Sequence, residues 1–332
     1  MRRLSPSVIV ASIGAVAALS AAGWVLVADA GGEPATVATT TTAPSTTTTT
    51  STTAPPSTTT VPPSPPTTAV PPDLFALRPP PTAADPAGLA VQIIQAETVI
   101  RDPASTEPQV AEAALAQQVA YRQLGAHPEW DAEVLAALPE GLRRPAELHV
   151  AARREFRAMH TKLSGTLPAW QIVEPVPYAE LLADYQEAEA TFGIPWRYLA
   201  AINLVETATG RIRGTSSAGA QGPMQFMPST WEAYGGGGDI NDTHDAIMGA
   251  ARYLAANNGA VDIDNALYRY NHSDHYVLGV KLYADLIAEH PGAGLALYHW
   301  GVWYLTDQGE VYLPTGYLET APVPVADYLA RG

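Results

Sequence analysis

The sequence contains no cysteine, and it is short of positive charge. The missing cysteine excludes a disulfide scaffold, thiolate-bound zinc or iron–sulfur clusters, and a catalytic thiol. The 18 Lys and Arg residues stand against 33 Asp and Glu residues, which gives a formal net charge of −15. Nucleic-acid backbones are bound by clustered Lys and Arg, so this charge balance argues against a general nucleic-acid-binding protein.

The N-terminus carries an apolar run over residues 8–28, preceded by Arg2 and Arg3. The run is about as long as the ~20 residues that a membrane-spanning helix needs, and positive charge before it keeps the N-terminus inside. Ala28-Asp29-Ala30 also has the small-x-small form of a cleavage site. We therefore interpret residues 1–30 as a membrane anchor or, alternatively, as a signal peptide. Both interpretations export residues 31–332.

Residues 31–83 are poor in large apolar and charged side chains. Thr, Pro and Ser account for 31 of the 40 residues in 33–72. Such a segment cannot bury enough apolar surface to offset the entropy lost on ordering. We predict a disordered Thr/Pro-rich stalk that lifts the rest of the chain off a membrane, or alternatively an inert linker.

The rest of the chain has helical periodicity, so the predicted fold class is mainly α. A helical support region (84–172) is predicted to contain helices near 86–101, 107–124, 128–138 and 145–164. A second region (173–290) is predicted to contain helices near 177–192, 195–209, 228–235, 243–257, 262–272 and 274–290. The tail (291–332) alternates as a short β-hairpin, with strands at 298–305 and 310–313. Its aromatic residues Tyr298, Trp300 and Tyr304 would share one face, and we expect them to pack against the helices rather than to stack on sugars.

Glu206 is the carboxylate most clearly placed for chemistry. Leu199, Ile202 and Glu206 stand at i, i+3 and i+7 of the helix over 195–209, so they share one face. A carboxyl group on an apolar stripe is desolvated, which raises its pKa and lets it act as a general acid near neutral pH. The alternative is a solvated Glu near a frayed helix end. Gly210 is predicted to cap this helix.

A segment rich in small residues follows the helix, Gly214-Thr-Ser-Ser-Ala-Gly-Ala-Gln-Gly-Pro-Met-Gln-Phe-Met-Pro-Ser-Thr-Trp231. Small residues let the backbone approach a ligand closely. Met224, Gln225 and Phe226 place an apolar wall beside an amide. Glycans need that mixture, with flat faces for sugar rings and amides for N-acetyl groups, so the segment indicates a glycan-binding cleft.

Glu206-Thr207, the segment Ser-Ser-Ala-Gly-Ala-Gln-Gly-Pro-Met-Gln-Phe-Met-Pro and Tyr270-Asn271 together resemble the lytic transglycosylases of the lysozyme-like superfamily. Gly-Ala-x-Gly-x-Met-Gln is similar to the soluble type. Gln-Phe-Met-Pro-Ser, followed by Gly-Asp-Ile and Asp245-Ala-Ile, also resembles the membrane-bound B type. The motifs cover 195–280, and the general layout resembles actinobacterial-type members from about residue 85 onward. The resemblance implies a lysozyme-like helical catalytic domain over 173–290.

The resemblance also implies an activity. Glycan strands of peptidoglycan would be cleaved between N-acetylmuramic acid and N-acetylglucosamine, with Glu206 acting first as an acid and then as a base. The muramic C6 hydroxyl would close a 1,6-anhydro ring, and no cofactor or metal is implied. The implied substrate-binding residues are Ser216, Ser217, Met224, Gln225, Phe226, Tyr270 and Asn271.

Two positions depart from the usual family pattern. Thr207 follows the Glu where many members have Ser, and Pro223 stands in Gly-Pro-Met-Gln where Leu is usual. Thr keeps a hydroxyl group, whereas Pro removes a backbone donor and stiffens the loop. We therefore expect a changed cleft shape but the same proton chemistry. Export and a stalk suit an extracytoplasmic enzyme of the cell wall, either membrane-anchored or secreted, while cell-wall synthesis or division proteins stay open as partners.

Two other functions fit the same residues. A hydrolytic muramidase would need a second carboxylate to activate water, and Asp239, Asp242 and Asp245 are the nearby candidates. A non-catalytic glycan-binding module is the other alternative, and the intact Glu206 argues against it.

Three clusters of charged or metal-binding residue types have simpler interpretations. The acidic clusters at 239–242 and 262–265 lack the pattern of the twelve-residue calcium loop, so helix capping is preferred to calcium binding. His272 and His275 are interpreted as cleft-edge or capping residues rather than metal ligands. The basic cluster between Arg143 and Lys162 is interpreted as a solvated helix face rather than a polymer-binding surface.

Overall fold

The structure is a computed structural model that describes residues 73–331. The anchor or signal segment predicted at 1–30, and the stalk up to residue 72, lie outside the described residues. Within residues 73–331 no helix combines the length and apolar character needed to cross a membrane. Residues 73–78 run along the folded part, where the ring of Phe75 lies 4.8 Å from the guanidinium of Arg211.

The support region forms four α-helices, which are α1 (Pro86–Arg101), α2 (Glu107–Ala126), α3 (Asp131–Ala137) and α4 (Glu140–Ala158). Their starts follow from the sequence. The Asp85 side chain accepts the Gly88 N–H, and Thr106 and Gln109 form a capping box at α2. The helices predicted at 86–101 and 107–124 are confirmed. The helix predicted over 128–138 is a 3-10 turn (Pro128–Trp130) followed by α3.

The bounds predicted for the fourth helix were wrong at both ends. Pro145 was expected to start it, but α4 begins at Glu140 and contains Pro145. The proline deprives the Gly141 carbonyl of its helical partner, and Gly141 is exposed, so water is available to that carbonyl. The helix ends at Ala158 rather than near 164, because the chain turns into strand β1 (Thr166–Leu167), whose partner comes from the C-terminus.

The basic cluster of α4 is largely paired with carboxylates. Arg154 binds Asp131 and Arg144 binds Glu289, while Arg153 binds Glu310 of the C-terminal hairpin. The interpretation as a solvated face is wrong for Arg153, because only 11% of its side chain is exposed.

The second region contains α5 (Tyr178–Phe192), α6 (Trp196–Thr207), α7 (Pro228–Tyr234), α8 (Thr243–Ala256), α9 (Ile263–Tyr270) and α10 (Asp274–Glu289). Helix α10 packs against both α4 and α6. Phe156 of α4 stacks on Tyr283 of α10 at 5.8 Å and meets Tyr276 edge-on at 6.5 Å. The support region and the motif region, residues 195–280, therefore share one hydrophobic core. The mainly α fold class is confirmed.

The remaining described elements are three antiparallel strand pairs and two short helices, α11 (Ala293–Tyr298) and α12 (Val325–Leu329). Strand β1 pairs with β6 (Val323–Pro324), β2 (Gln171–Ile172) with β3 (Ile212–Arg213), and β4 (Val302–Thr306) with β5 (Gly309–Leu313). The C-terminal hairpin is confirmed, but Tyr298 ends α11 instead of lying on a strand. The hairpin loop is two residues rather than four, because Thr306 pairs with Gly309 and its hydroxyl donates to the Gly309 carbonyl.

These strands enclose a second hydrophobic cluster, separate from the main core, which we call the β platform. Most of it comes from outside the motif region, and it reaches that region through Ala208 and Ile212. Its members are Leu167, Trp170, Ile172, Ala208, Ile212, Val302, Tyr304, Val311, Leu313, Tyr317 and Val325.

Candidate active site

Glu206 lies one residue before the end of α6, and 1% of its surface is exposed. Leu199 and Ile202 are fully buried on the same face, so the predicted apolar stripe is confirmed. The alternative of a solvated Glu at a frayed helix end is therefore wrong.

The two oxygens of the Glu206 carboxyl have different surroundings. Oε1 accepts a hydrogen bond from the hydroxyl of Tyr276 at 2.8 Å, whereas Oε2 is buried and has no partner among residues 73–331. Burial raises the pKa of Glu206 well above its usual range, and the Tyr276 hydrogen bond opposes that shift only in part. Burial therefore favours the neutral form of this carboxyl, and Oε2 is the oxygen to which no described residue donates a hydrogen bond.

The chain leaves α6 through an unusual turn. Ala208 and Thr209 both have positive φ, at 51° and 62°, ahead of Gly210 at 86°. The predicted cap at Gly210 was wrong, because the helix is capped by Ala208, whose N–H reaches the Leu204 carbonyl. Residues other than glycine adopt this left-handed backbone conformation only at an energetic cost, and such residues cluster at functional sites. The turn directs the chain away from α6 into β3 and the cleft loop, which we define as residues 214–226.

The cleft loop is tied to α6 through one carbonyl. The Pro223 carbonyl accepts hydrogen bonds from Thr207 Oγ1 at 2.6 Å and from Asn203 Nδ2 at 2.9 Å. Asn203 is oriented in turn by the Tyr185 hydroxyl at 2.7 Å. The hydroxyl of Thr207 thus fixes the loop beside Glu206.

Tyr270 joins the cleft loop to α9, whereas Gln225 forms its hydrogen bonds within the loop. Gln225 is buried with φ at 50°, and its Nε2 donates to the Gly222 carbonyl at 3.0 Å. Its Oε1 is buried without a partner among the described residues. The Tyr270 hydroxyl donates to the Met224 carbonyl at 2.7 Å, and its ring lies parallel to that of Tyr276 at 6.3 Å. Glu206, Tyr276, Tyr270, Met224 and Gln225 are therefore brought together.

The other expected binding residues lie nearer the surface or in the core. Ser216 is half-buried and its Oγ accepts the Ala220 N–H at 3.0 Å, while Ser217 is exposed. Asn271 is half-buried and follows α9 directly. Phe226 is fully buried and packs edge-on against Trp231, so its ring supports the loop from inside.

Tyr276 is the site residue that sequence reasoning missed. It lies on the buried face of α10 with Val280 and Tyr283. A buried phenol usually finds a hydrogen-bond partner, so a Tyr on that stripe was the available signal. That its partner is Glu206, 70 residues away, follows only from the packing of α10 on α6.

The acidic and histidine clusters have structural roles. Asp242 caps α8 by accepting the Asp245 N–H, and Asp262 caps α9, so helix capping is confirmed. His275 binds Glu155 of α4 at 2.7 Å. In the described chain, Asp242, His244 and Asp245 each place one potential metal-coordinating atom within 4.8 Å of the others. The carboxylates of both aspartates, however, already accept hydrogen bonds from backbone N–H groups.

The buried carboxyl predicts a pH dependence of stability. A folded-state pKa above the unfolded value, near 4.5, means that the folded protein keeps a proton which the unfolded chain releases. The free energy of unfolding therefore falls as pH rises from the unfolded pKa to the folded pKa. We expect Glu206→Gln to melt at about the wild-type temperature near pH 4 and above it by pH 8. Thermal melts of both proteins across this range check it, and a Tm difference that shrinks with rising pH would contradict it.

Comparisons with known proteins agree with the motifs. Residues 184–282 match the family described as Transglycosylase SLT domain. The membrane-bound lytic murein transglycosylase F of Thiobacillus denitrificans is 33% identical over 123 residues, which is 36% of this chain and 25% of that protein. The chain thus spans about a quarter of this curated relative's length. No solved structure matches the chain. The resemblance to lytic transglycosylases of the lysozyme-like superfamily is confirmed.

Proposed function

We propose that this chain is a peptidoglycan lytic transglycosylase, cleaving the β-1,4 bond between N-acetylmuramic acid and N-acetylglucosamine. The observation that carries the proposal is the Glu206 carboxyl, which is buried, raised in pKa and hydrogen-bonded to Tyr276 through Oε1, in a segment that matches the SLT family. Glu206 would be the catalytic residue of both proton transfers.

In the first transfer, the neutral Glu206 gives its Oε2 proton to the glycosidic oxygen, so the N-acetylglucosamine side leaves as an alcohol. Tyr276, donating to Oε1, is arranged to stabilise the carboxylate that forms. A raised pKa suits this role, because the proton is held until the substrate oxygen needs it.

In the second transfer, the Glu206 carboxylate takes the proton of the muramic C6 hydroxyl. That oxygen attacks the anomeric carbon and closes a 1,6-anhydro ring, and Glu206 returns to its neutral form. One bond to C1 breaks and one forms, with no water consumed. A single carboxylate therefore suffices, since the substrate supplies the nucleophile.

A muramidase is the alternative, and the described carboxylates do not favour it. Hydrolytic glycosidases generally place a second carboxylate across the bond. Among residues 73–331, burial raises the pKa of Glu206 and the Tyr276 hydrogen bond lowers it, and no second carboxylate contributes to the shift. Asp239, Asp242 and Asp245 are each bound to local backbone N–H groups.

The test is product analysis of peptidoglycan digested by the full chain in heavy-oxygen water. A transglycosylase releases muropeptides one water lighter than hydrolysed ones and without the isotope. Reducing ends that carry heavy oxygen would replace the proposal with a muramidase, and an absence of products would favour a binding module.

The partners and location follow from the same proposal. Peptidoglycan lies outside the cytoplasm, so the enzyme would act there, either held by residues 8–28 or secreted to the wall. The Thiobacillus relative is named as a membrane-bound enzyme, which supports the anchored form.

Removal of the Tyr276 hydroxyl is expected to weaken the first proton transfer. Tyr276→Phe leaves Oε1 without a donor, so the pKa of Glu206 rises further and its carboxylate is less stabilised. We expect kcat to fall about tenfold and the alkaline limb of the pH–rate profile, which reports loss of the Glu206 proton, to move to higher pH. Tyr283→Phe is the matched control, since Tyr283 is buried on the same helix. Equal profiles for the two variants would contradict the assignment.

A further inference from the structure

We infer that the β platform positions the cleft loop, and that Trp170 is the residue through which it does so. Trp170 and most of the platform lie outside residues 184–282, which match the family. The inference therefore assigns a function to the segments on both sides of that match. Its kinetic readout rests on the proposed function, whereas its structural readout does not.

The platform meets the site through the backbone that follows Glu206. Ala208, two residues after Glu206, is buried in the platform, and Ile212 pairs with Ile172 across β2 and β3. The Val173 N–H also donates to the Arg211 carbonyl at 2.9 Å. Ala208, Arg211 and Ile212, on the path from the end of α6 to the start of the cleft loop, are therefore each held by residues from outside the motif region.

Trp170 contacts the first residue of the cleft loop closely. A Cβ atom added to Gly214 would lie 2.6 Å from Cδ1 of Trp170 and 3.3 Å from its Nε1. No larger residue fits at 214 unless the indole moves. The indole ring thus packs directly on the loop backbone, and Gly214 is the residue that permits it.

Trp170 is itself rigidly held. It is 5% exposed, and its ring meets Tyr304 of the hairpin edge-on at 5.6 Å. Its carbonyl accepts the Glu319 N–H at 3.0 Å, and the Tyr317 hydroxyl donates to the Pro168 carbonyl at 2.7 Å. The C-terminal segment therefore fixes the side chain and the backbone around it.

A displacement at Gly214 passes along the loop, because the loop is internally bonded. The backbone N–H of Ser216 and its Oγ both bind Ala220, and Gln221 and Phe226 exchange two backbone hydrogen bonds. Met224 and Gln225 lie inside that last pair. Trp170 therefore affects the position of Met224 and Gln225, the proposed substrate-binding residues, and not that of the Glu206 carboxyl. Substrate affinity is the quantity that it controls.

The test compares Trp170→Ala, Trp170→Phe and Leu124→Ala in the full chain. Leu124 is fully buried in a separate cluster of the support region and serves as a destabilised control. We expect Trp170→Ala to raise KM for soluble glycan strands about tenfold with a smaller change in kcat, and Trp170→Phe to restore most of the affinity. Leu124→Ala is expected to lower Tm while leaving KM unchanged.

Hydrogen exchange over residues 214–226 supplies a readout independent of activity. Exchange is expected to accelerate in Trp170→Ala and not in Leu124→Ala. Gly214→Ala should accelerate it in the wild-type background and have a much smaller effect when Trp170 is Ala. If KM and loop exchange in Trp170→Ala match those of Leu124→Ala, the inference is overturned. If the wild type releases no anhydro product, the proposed function fails and loop exchange alone decides the role of Trp170.

Discussion

Glu206→Gln is expected to abolish glycan cleavage, which means that the rate at which muropeptides form falls at least about 1,000-fold. General acid–base catalysis contributes about 100- to 10,000-fold for one positioned group, and here one group serves both transfers. Gln keeps the shape of the side chain and an oxygen that accepts the Tyr276 hydroxyl, but it neither gives nor takes the proton. Mass spectrometry of released muropeptides measures the effect.

The control separates lost chemistry from lost structure. Glu187→Gln changes a side chain of the same type that is 58% exposed on α5, and it is expected to leave the rate unchanged. Glu206→Gln should fold fully, because Gln has the same shape as Glu. Its amide nitrogen replaces Oε2, which has no hydrogen-bond partner among residues 73–331. If a well-folded Glu206→Gln protein kept a tenth of the wild-type activity, Glu206 would not be the acid.

Gly222→Ala is expected to be the most damaging single-methyl substitution in the cleft loop. Gly222 has φ at 75°, and an added Cβ would lie 1.8 Å from the carbonyl oxygen of Ile240. Positive φ alone costs about 1–2 kcal/mol for a residue other than glycine, and overpacking adds about 1–3 kcal/mol. Because Gln225 bonds to the Gly222 carbonyl, the loop shifts next to Glu206, and we expect a loss of about 100-fold in activity.

Gly193→Ala isolates the backbone part of this effect. Gly193 has φ at 72° and nothing within 4 Å of an added Cβ, so it carries the conformational cost without the collision. Thermal melts and muropeptide release should show a modest Tm loss and normal activity for Gly193→Ala, but large losses of both for Gly222→Ala. Similar values for the two variants would show that the contact with Ile240 is not what makes Gly222 necessary.

The helical part of the fold was predictable because its signals are local. Apolar periodicity located α1, α2, α8 and α9 closely. The stripe from Leu199 to Glu206 likewise needs only the helix repeat, so the buried acid was visible in the sequence.

The misses came from long-range contacts. Nothing near Ala208 or Thr209 in the sequence indicates positive φ, because the surrounding packing imposes that conformation. The early end of α4 follows from pairing between β1 and β6, in which Thr166 pairs with the sequence-distant Pro324. Tyr276 reaches Glu206 only because α10 packs on α6, and the sequence pattern of either helix alone does not indicate that packing.

The pairing of Thr166 with Pro324 and of Leu167 with Val323 has a consequence for the order of folding. A growing chain emerges from the ribosome N-terminus first, so α6 and Glu206 are complete well before β6 exists. Contacts between residues this far apart close large loops and form slowly. The loop around Gly214 therefore settles last, and a nascent or C-terminally truncated chain holds its acid in place without a finished binding wall.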